Sequence, residues 1–254
     1  MNERELLVDC LRRLNRTGVT YYLTGSMASN YWGIPRTTHD LEFVVQLPVS
    51  AVPRIMQEFS GDFYIEEAAV RAAYQPPHQF NAIDTRSALK VDFWLPKPEP
   101  FDREMMKRRV PATLFGEPAW IATAEDVILH KLVWNRMSPS DRQLGDAAGI
   151  VAVQADVLDK TYLRQWAQEL KLIQELERLL SGEIKPKNTL RKWFIQDPTD
   201  EDCNAQSRRT ARRRLQGARR RAWPAGHGAL PSSIRARQRR LHPRTPRMAA
   251  RPVR

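Results

Sequence analysis

The sequence is poor in cysteine, with only Cys10 and Cys203 in 254 residues. Two such distant thiols form neither a disulfide framework nor a zinc-binding pattern, and they read as reduced. Long apolar runs are also missing. No stretch approaches the roughly 18 apolar residues of a membrane span, so no membrane contact is expected. The opening MNERELLVDC is charged from the start and lacks the apolar centre of a secretory signal. A cytoplasmic location is expected. Negative charge is absent from one region alone: residues 205–254 hold 16 Arg and no Lys, Asp or Glu. The net charge of +12 reflects 41 Lys and Arg against 29 Asp and Glu, so residues 1–204 keep 25 basic against 29 acidic side chains, a net of −4. The basic character belongs to the tail and gives no ground for treating the body as a nucleic-acid binder.

The tail mixes arginine clusters with Ala, Pro and Gln. It cannot bury enough apolar surface to offset its ordering entropy, and disorder is expected over 199–254. Three readings compete for it. It is a nucleic-acid-binding arm held through phosphate counterion release, a solvated tail without a specific role, or a coding artefact. Arginine without lysine beside Ala and Pro is what an out-of-frame read of GC-rich DNA yields.

The rest of the chain divides by periodicity, with no internal repeat. Leu6, Leu7, Cys10, Leu11 and Leu14 recur at helical spacing and predict a helix over 3–15. Tyr21–Thr24 reads as a strand. Ser26 suits the N-cap of a short helix, Met27–Trp32, which Gly33-Ile34-Pro35 ends. Leu41–Leu47 reads as a buried strand and 49–60 as a helix with Pro53 in its first turn. Short strands are expected at 63–65 and 78–83. A stronger strand, Ala88–Leu95, places Leu89, Val91, Phe93 and Leu95 on one side and Lys90, Asp92 and Trp94 on the other. A helix at 101–109 and strand material at 112–121, broken at Gly116, follow. From Thr123 the pattern turns helical through 123–136, 141–154 and 159–181. The expected organisation is an α+β domain over 1–122, a helical subdomain over 123–198 and the basic tail.

One stretch asks for an explanation. In "YYLTGSMASNYWGIPRTTHDLEFVV" two carboxylates, Asp40 and Glu42, sit inside an apolar run. Residues i and i+2 of a strand share a face, so these charges lie side by side. Burying them is costly unless one takes a proton or a cation sits between them. Mg²⁺ suits such a site, being a hard cation held by one or two carboxylates together with substrate phosphates. Asp92, on the polar side of its own strand, offers a third carboxylate. Gly25-Ser26 offers the other half. Glycine allows close backbone approach, and a helix starting there aims free N–H groups at a phosphate, with the Ser26 hydroxyl as an added donor.

This order of residues resembles the nucleotidyltransferase superfamily of the polymerase-β type. Its signature is an apolar residue, Gly, Gly or Ser, a spacer, then carboxylate–apolar–carboxylate. The chain has Leu23-Thr24-Gly25-Ser26, thirteen intervening residues, and Asp40-Leu41-Glu42-Phe43. Arg36 and Thr38, then Lys131 in "EDVILHKLVW" and Asp141, Arg142 and Asp146 in "SPSDRQLGDAAGI", are similar to minimal nucleotidyltransferases and AbiE-type toxin relatives. The resemblance spans roughly residues 15–170. It departs in a spacer at the upper limit and in Glu for Asp at position 42. It implies a mixed sheet with flanking helices and transfer of a nucleoside monophosphate from an NTP to an acceptor hydroxyl on RNA, a protein or a small molecule. It further implies two Mg²⁺ ions on Asp40, Glu42 and Asp92, with Asp92 as proton acceptor. The triphosphate is expected on Gly25, Ser26, Arg36 and Lys131, and the AbiE likeness implies a controlling antitoxin-like protein partner. Two other readings stand beside this one: an inactive nucleotide- or partner-binding module of the same fold, and a nucleic-acid binder acting through the tail. Arg142 and Asp146, four residues apart, are expected to form a helix-surface ion pair. His39, His78 and His130 lack metal-ligand spacing and read as structural, and Trp134 and Trp166 read as core.

Overall fold

The protein is represented by a computed structural model, which describes residues 1–186. The tail, and the end of the expected helical part from residue 187 onward, lie outside the described residues. The first helix, α1 (Glu3–Thr17), is closed at both ends by its own sequence. Asn2 and Glu5 form a reciprocal capping box, and Gly18 takes the left-handed conformation at the C-terminus. Its apolar stripe, Leu6, Leu7, Cys10, Leu11 and Leu14, is wholly buried. Burial pushes the Cys10 thiol pKa well up, so this cysteine is inert packing.

Strand β1 (Thr20–Leu23), helix α2 (Gly25–Trp32) and strand β2 (Leu41–Gln46) follow. A 3₁₀ turn, Val49–Ala51, leads into α3 (Val52–Phe59), with Pro53 in the first turn as expected. Next come β3 (Phe63–Tyr64), α4 (Glu67–Ala72), β4 (Gln79–Asp84), β5 (Lys90–Trp94), α5 (Pro100–Arg108), and the hairpin β6 (Val110–Leu114) and β7 (Glu117–Ile121). Four helices complete the described chain: α6 (Ala124–Met137), α7 (Asp141–Gln154), α8 (Lys160–Glu169) and α9 (Ile173–Leu180). Two elements depart from the periodicity reading. Helix α4 went unnoticed because it is six residues long and buries only Val70. The expected 159–181 helix is two helices, because Lys171 takes a left-handed backbone (φ 58°) between them without a Gly or Pro to announce it.

The seven strands form one mixed sheet in the order β3-β4-β5-β2-β1-β7-β6. Strand β2 is parallel to β5 and β1 to β7, while the other pairings are antiparallel. This is the α+β architecture, a mixed sheet with flanking helices, that the resemblance implied. Alternation along β2 and β5 sends Phe43 and Phe93 to one face, where they stack on each other, and Phe93 also stacks on Phe80 and meets Phe59 of α3 edge-on. Helices α1 and α3 cover this face. The opposite face carries Glu42, Asp92 and Trp94 and is covered by α2, α6 and α7. All described residues fall within one compact unit.

Helix α7 can approach because two glycines meet there. A Cβ on Gly33 would stand 2.7 Å from the backbone nitrogen of Ile150, and one on Gly149 would stand 3.3 Å from that of Ile34. Backbone contact at this point carries the polar side chains of α7 to the Gly25 turn. Gln154 Nε2 locks the contact by donating to the Trp32 carbonyl at 2.7 Å. Among the described residues, no helix is long and apolar enough to cross a membrane.

Candidate active site

The β1–β2 pairing fixes the site. Thr24 N–H donates to the Glu42 carbonyl at 2.9 Å, continuing the ladder one residue beyond β1. The chain then turns at Gly25, whose φ of +63° is the left-handed region that favours glycine. The turn has a second requirement for glycine. A Cβ at Gly25 would lie 1.5 Å from Glu42 Oε2, so the carboxylate occupies the space that a side chain would need. Glu42 Oε2 accepts from the backbone N–H of Ser26 at 3.2 Å. The two halves of the motif, thirteen residues apart in sequence, are thus in direct contact.

Ser26 differs from its expected capping role. Helix α2 starts two residues earlier, with Thr24 at the N-cap and no side-chain capping bond. The Ser26 hydroxyl accepts from Arg36 Nη2 at 2.7 Å. Arg36 is itself clasped: the Asn30 side-chain amide donates to its carbonyl at 2.7 Å and accepts from its N–H at 3.0 Å. Its guanidinium grips Asp146 in a forked pair, with Nε to Oδ1 at 2.6 Å and Nη2 to Oδ2 at 2.8 Å. Lys131 Nζ donates to the same Asp146 Oδ2 at 2.9 Å. Asp146 therefore joins both expected phosphate-binding cations behind the Gly-Ser turn. The expected Arg142–Asp146 ion pair does not form. Arg142 lies exposed at the start of α7, whereas Asp146, one turn on, faces the buried side. Burial alone would raise the Asp146 pKa, but Arg36 and Lys131 outweigh it and hold the carboxyl below its ordinary range.

A cavity of about 190 Å³ opens over this cluster. Gly25, Ser26, Arg36, Asp40, Glu42 and Lys131 line it. Of the seven sequence-selected residues, six are gathered here. The seventh, Asp92, is the lateral neighbour of Glu42 in the β2–β5 register and shares its face. It does not line the cavity, and Lys90 Nζ holds its Oδ2 at 2.9 Å. Its other oxygen, Oδ1, is buried without a hydrogen-bond partner. Among the described residues no three His, Cys, Asp or Glu side chains are grouped tightly enough to hold a metal ion.

Burial raises the Glu42 pKa, partly offset by Lys131 and the Ser26 N–H and reinforced by Asp40 and Asp92. A carboxylate with a folded pKa above its unfolded value weakens the fold as pH rises between the two. Glu42→Gln, which keeps an acceptor for Ser26, should therefore melt at or above the wild-type temperature at pH 7–8 in EDTA. The difference should vanish near pH 4, and melting curves from pH 4 to 8 measure it. A lower melting temperature at pH 8 would contradict this account of Glu42.

Other residues lining the cavity were missed in the sequence. Trp134, expected in the core, lines the cavity edge-on to Trp94, with ring centroids 5.7 Å apart. His130 lines it too, so it is not merely a packing residue. Its Nε2 accepts from Trp134 Nε1 at 3.1 Å. Burial, with the Lys131 and Lys97 charges, lowers its pKa to about 4, so the ring is neutral at neutral pH. Helical spacing places these side chains only on a helix face and does not say which face meets the sheet. His39 pairs instead with Glu3, and His78 sits near the Ala73 carbonyl. Trp166 packs against Phe101, 5.1 Å away, as a core-edge residue.

No family model matches the chain, and no curated protein matches it. Solved structures similar to it include an antigenic nucleotidyltransferase-like protein from Paracoccidioides brasiliensis, 14% identical, covering 73% of this chain and 94% of that one with a TM-score of 0.45. Another is the antibiotic-resistance factor ANT(2'')-Ia, 10% identical, covering 69% and 96% with a TM-score of 0.47. A third is JHP933 from Helicobacter pylori, 13% identical, covering 93% and 96% with a TM-score of 0.40. The chemistry of this chain is read from its own side chains.

Proposed function

We propose that the protein is a nucleotidyltransferase, moving a nucleoside monophosphate from an NTP to an acceptor hydroxyl. The observation that carries the reading is the contact of Glu42 with the Gly25-Ser26 turn beneath two cations, Arg36 and Lys131, which a single buried carboxylate holds in place. Carboxylates beside a cationic phosphate cradle suit a magnesium triphosphate. The donor set is all oxygen, as Mg²⁺ requires, and Asp92 Oδ1 is a buried oxygen in need of a partner. Asp40 and Glu42 would hold the metal, with Asp92 completing the set on release from Lys90. When bound, one or two Mg²⁺ ions would supply charge neutralisation for the triphosphate and the departing pyrophosphate.

The chain's own residues would do the rest. The Ser26 backbone turn, Arg36 and Lys131 would hold the β- and γ-phosphates and fix the α-phosphorus for in-line attack. Asp92 would take the proton of the acceptor hydroxyl as its oxygen bonds to phosphorus and the bond to pyrophosphate breaks. The acceptor is an RNA, a protein or a small molecule. A toxin-like role with a controlling protein partner rests on the sequence resemblance alone.

The test is incubation of the purified chain with each α-labelled NTP, Mg²⁺ and a cell extract. Label should move to a macromolecular or small-molecule acceptor, and Asp40→Ala should lose at least 100-fold while folding normally. Tight NTP binding with no transfer would instead favour the inactive module, for which Glu42 in place of Asp is the specific observation.

A further inference from the structure

The reading above leaves one wall of the cavity without a task. Trp94 stands two residues beyond Asp92 on the same sheet face, and Trp134 meets it from α6. Gln143, in the first turn of α7, lines the same cavity, and its Oε1 is buried with no hydrogen-bond partner. A buried carbonyl without a donor is costly, and such groups mark places where a ligand completes the pairing. No neighbouring group donates to it in the structure. The nearby His130 ring is itself engaged, its Nε2 accepting from Trp134 Nε1. Two half-buried indoles and an unmatched amide oxygen suit a flat, uncharged ring bearing an N–H group.

We propose that Trp94, Trp134 and Gln143 form a nucleobase subsite, in which the ring lies against the indoles and one of its N–H groups donates to Gln143 Oε1. The inference rests on the nucleotidyltransferase reading of the adjoining cluster. Each standard base carries an N–H donor, either an exocyclic amino or a ring imide, so Gln143 selects a base over an anionic group and does not rank the four. Indoles accept any base face. The ring belongs either to the donor NTP or to a nucleotide acceptor, and the test separates the two.

Indole fluorescence of the full chain would be titrated, with Mg²⁺, against each NTP, tripolyphosphate, and nucleosides in the presence of saturating non-hydrolysable NTP. If the donor base occupies the subsite, NTPs bind at least tenfold tighter than tripolyphosphate. Gln143→Met then narrows that gap at least fivefold without moving the tripolyphosphate affinity, and Gln143→Glu, which keeps an acceptor, restores part of it. If the acceptor base occupies it, Gln143→Met leaves the NTP titration alone and weakens nucleoside binding at least fivefold. A Gln143→Met protein unchanged in both titrations overturns the proposal. Failure of wild type to bind tripolyphosphate would overturn the phosphate-site reading instead, so the two failures are distinct.

Discussion

Gly25→Ala should abolish nucleotidyl transfer while leaving most of the fold standing. The added Cβ would fall 1.5 Å from Glu42 Oε2 and 2.4 Å from its carboxyl carbon. The glutamate arm is the flexible partner, so it swings away and gives up the Ser26 N–H. Displacing a reacting group by about 1 Å can cost on the order of 100-fold in rate, and here the displaced group is a proposed metal-holding carboxylate. The left-handed backbone at Gly25 adds a stability cost of roughly 1–2 kcal/mol for alanine. That corresponds to a fall of about 2–8 °C in melting temperature for a protein of this size. Transfer assays and thermal melts on the same preparation check the pair of outcomes. A variant retaining a tenth or more of wild-type activity would show that Glu42 need not touch the turn.

Asp146→Asn should be the most destabilising polar substitution in the site. Asp146 is the shared counter-charge of Arg36 and Lys131, and Lys131 is 6% exposed. Breaking a buried ion pair from one side costs about 3–5 kcal/mol, because the remaining charge stays buried without compensation. Glu42, which also senses Lys131, moderates the loss, so about 3 kcal/mol is expected. Adding Lys131→Met removes one stranded cation and should recover at least about 1 kcal/mol, an interaction that a double-mutant cycle reads directly. The pH dependence has a fixed sign. With its folded pKa depressed, Asp146 stabilises the protein above its unfolded pKa of about 3.9 and loses that contribution as pH falls through the folded value. The variant and wild type should therefore converge in stability only at strongly acidic pH. A loss below about 1 kcal/mol at neutral pH would mean that water or Glu42 compensates both cations.

Asp146 also shows where sequence reading stops. Its spacing to Arg142 satisfies the i, i+4 rule, and that rule suggested the wrong partner. The rule describes an isolated helix surface, but α7 is pressed against α2 at Gly33 and Gly149, which turns Asp146 inward toward Arg36, 110 residues away in sequence. Trp134 misled for a related reason. An aromatic on an amphipathic helix is buried in most contexts, yet this one stops at the edge of a cavity. Asp92 lies between these cases. Period-two alternation put it on the polar face of its strand, and the β2–β5 register makes it the neighbour of Glu42, but Lys90, two residues away on that face, holds one of its oxygens.

The chain's one-dimensional pattern determined, α4 excepted, which segments are helix and strand through residue 121, which way Asp40, Glu42 and Asp92 face, and that Gly25 marks a turn. Each depends on local backbone geometry, and geometry repeating every two or 3.6 residues is written directly into the order of side chains. The three-dimensional packing alone decided the strand order, the pairing of Glu42 with the Gly25 turn, the shared clasp of Asp146 on Arg36 and Lys131, and the two indoles that line the cavity. These are contacts between distant segments. They are selected by how the sheet's two faces bury all their partners at once, and no local period encodes that choice.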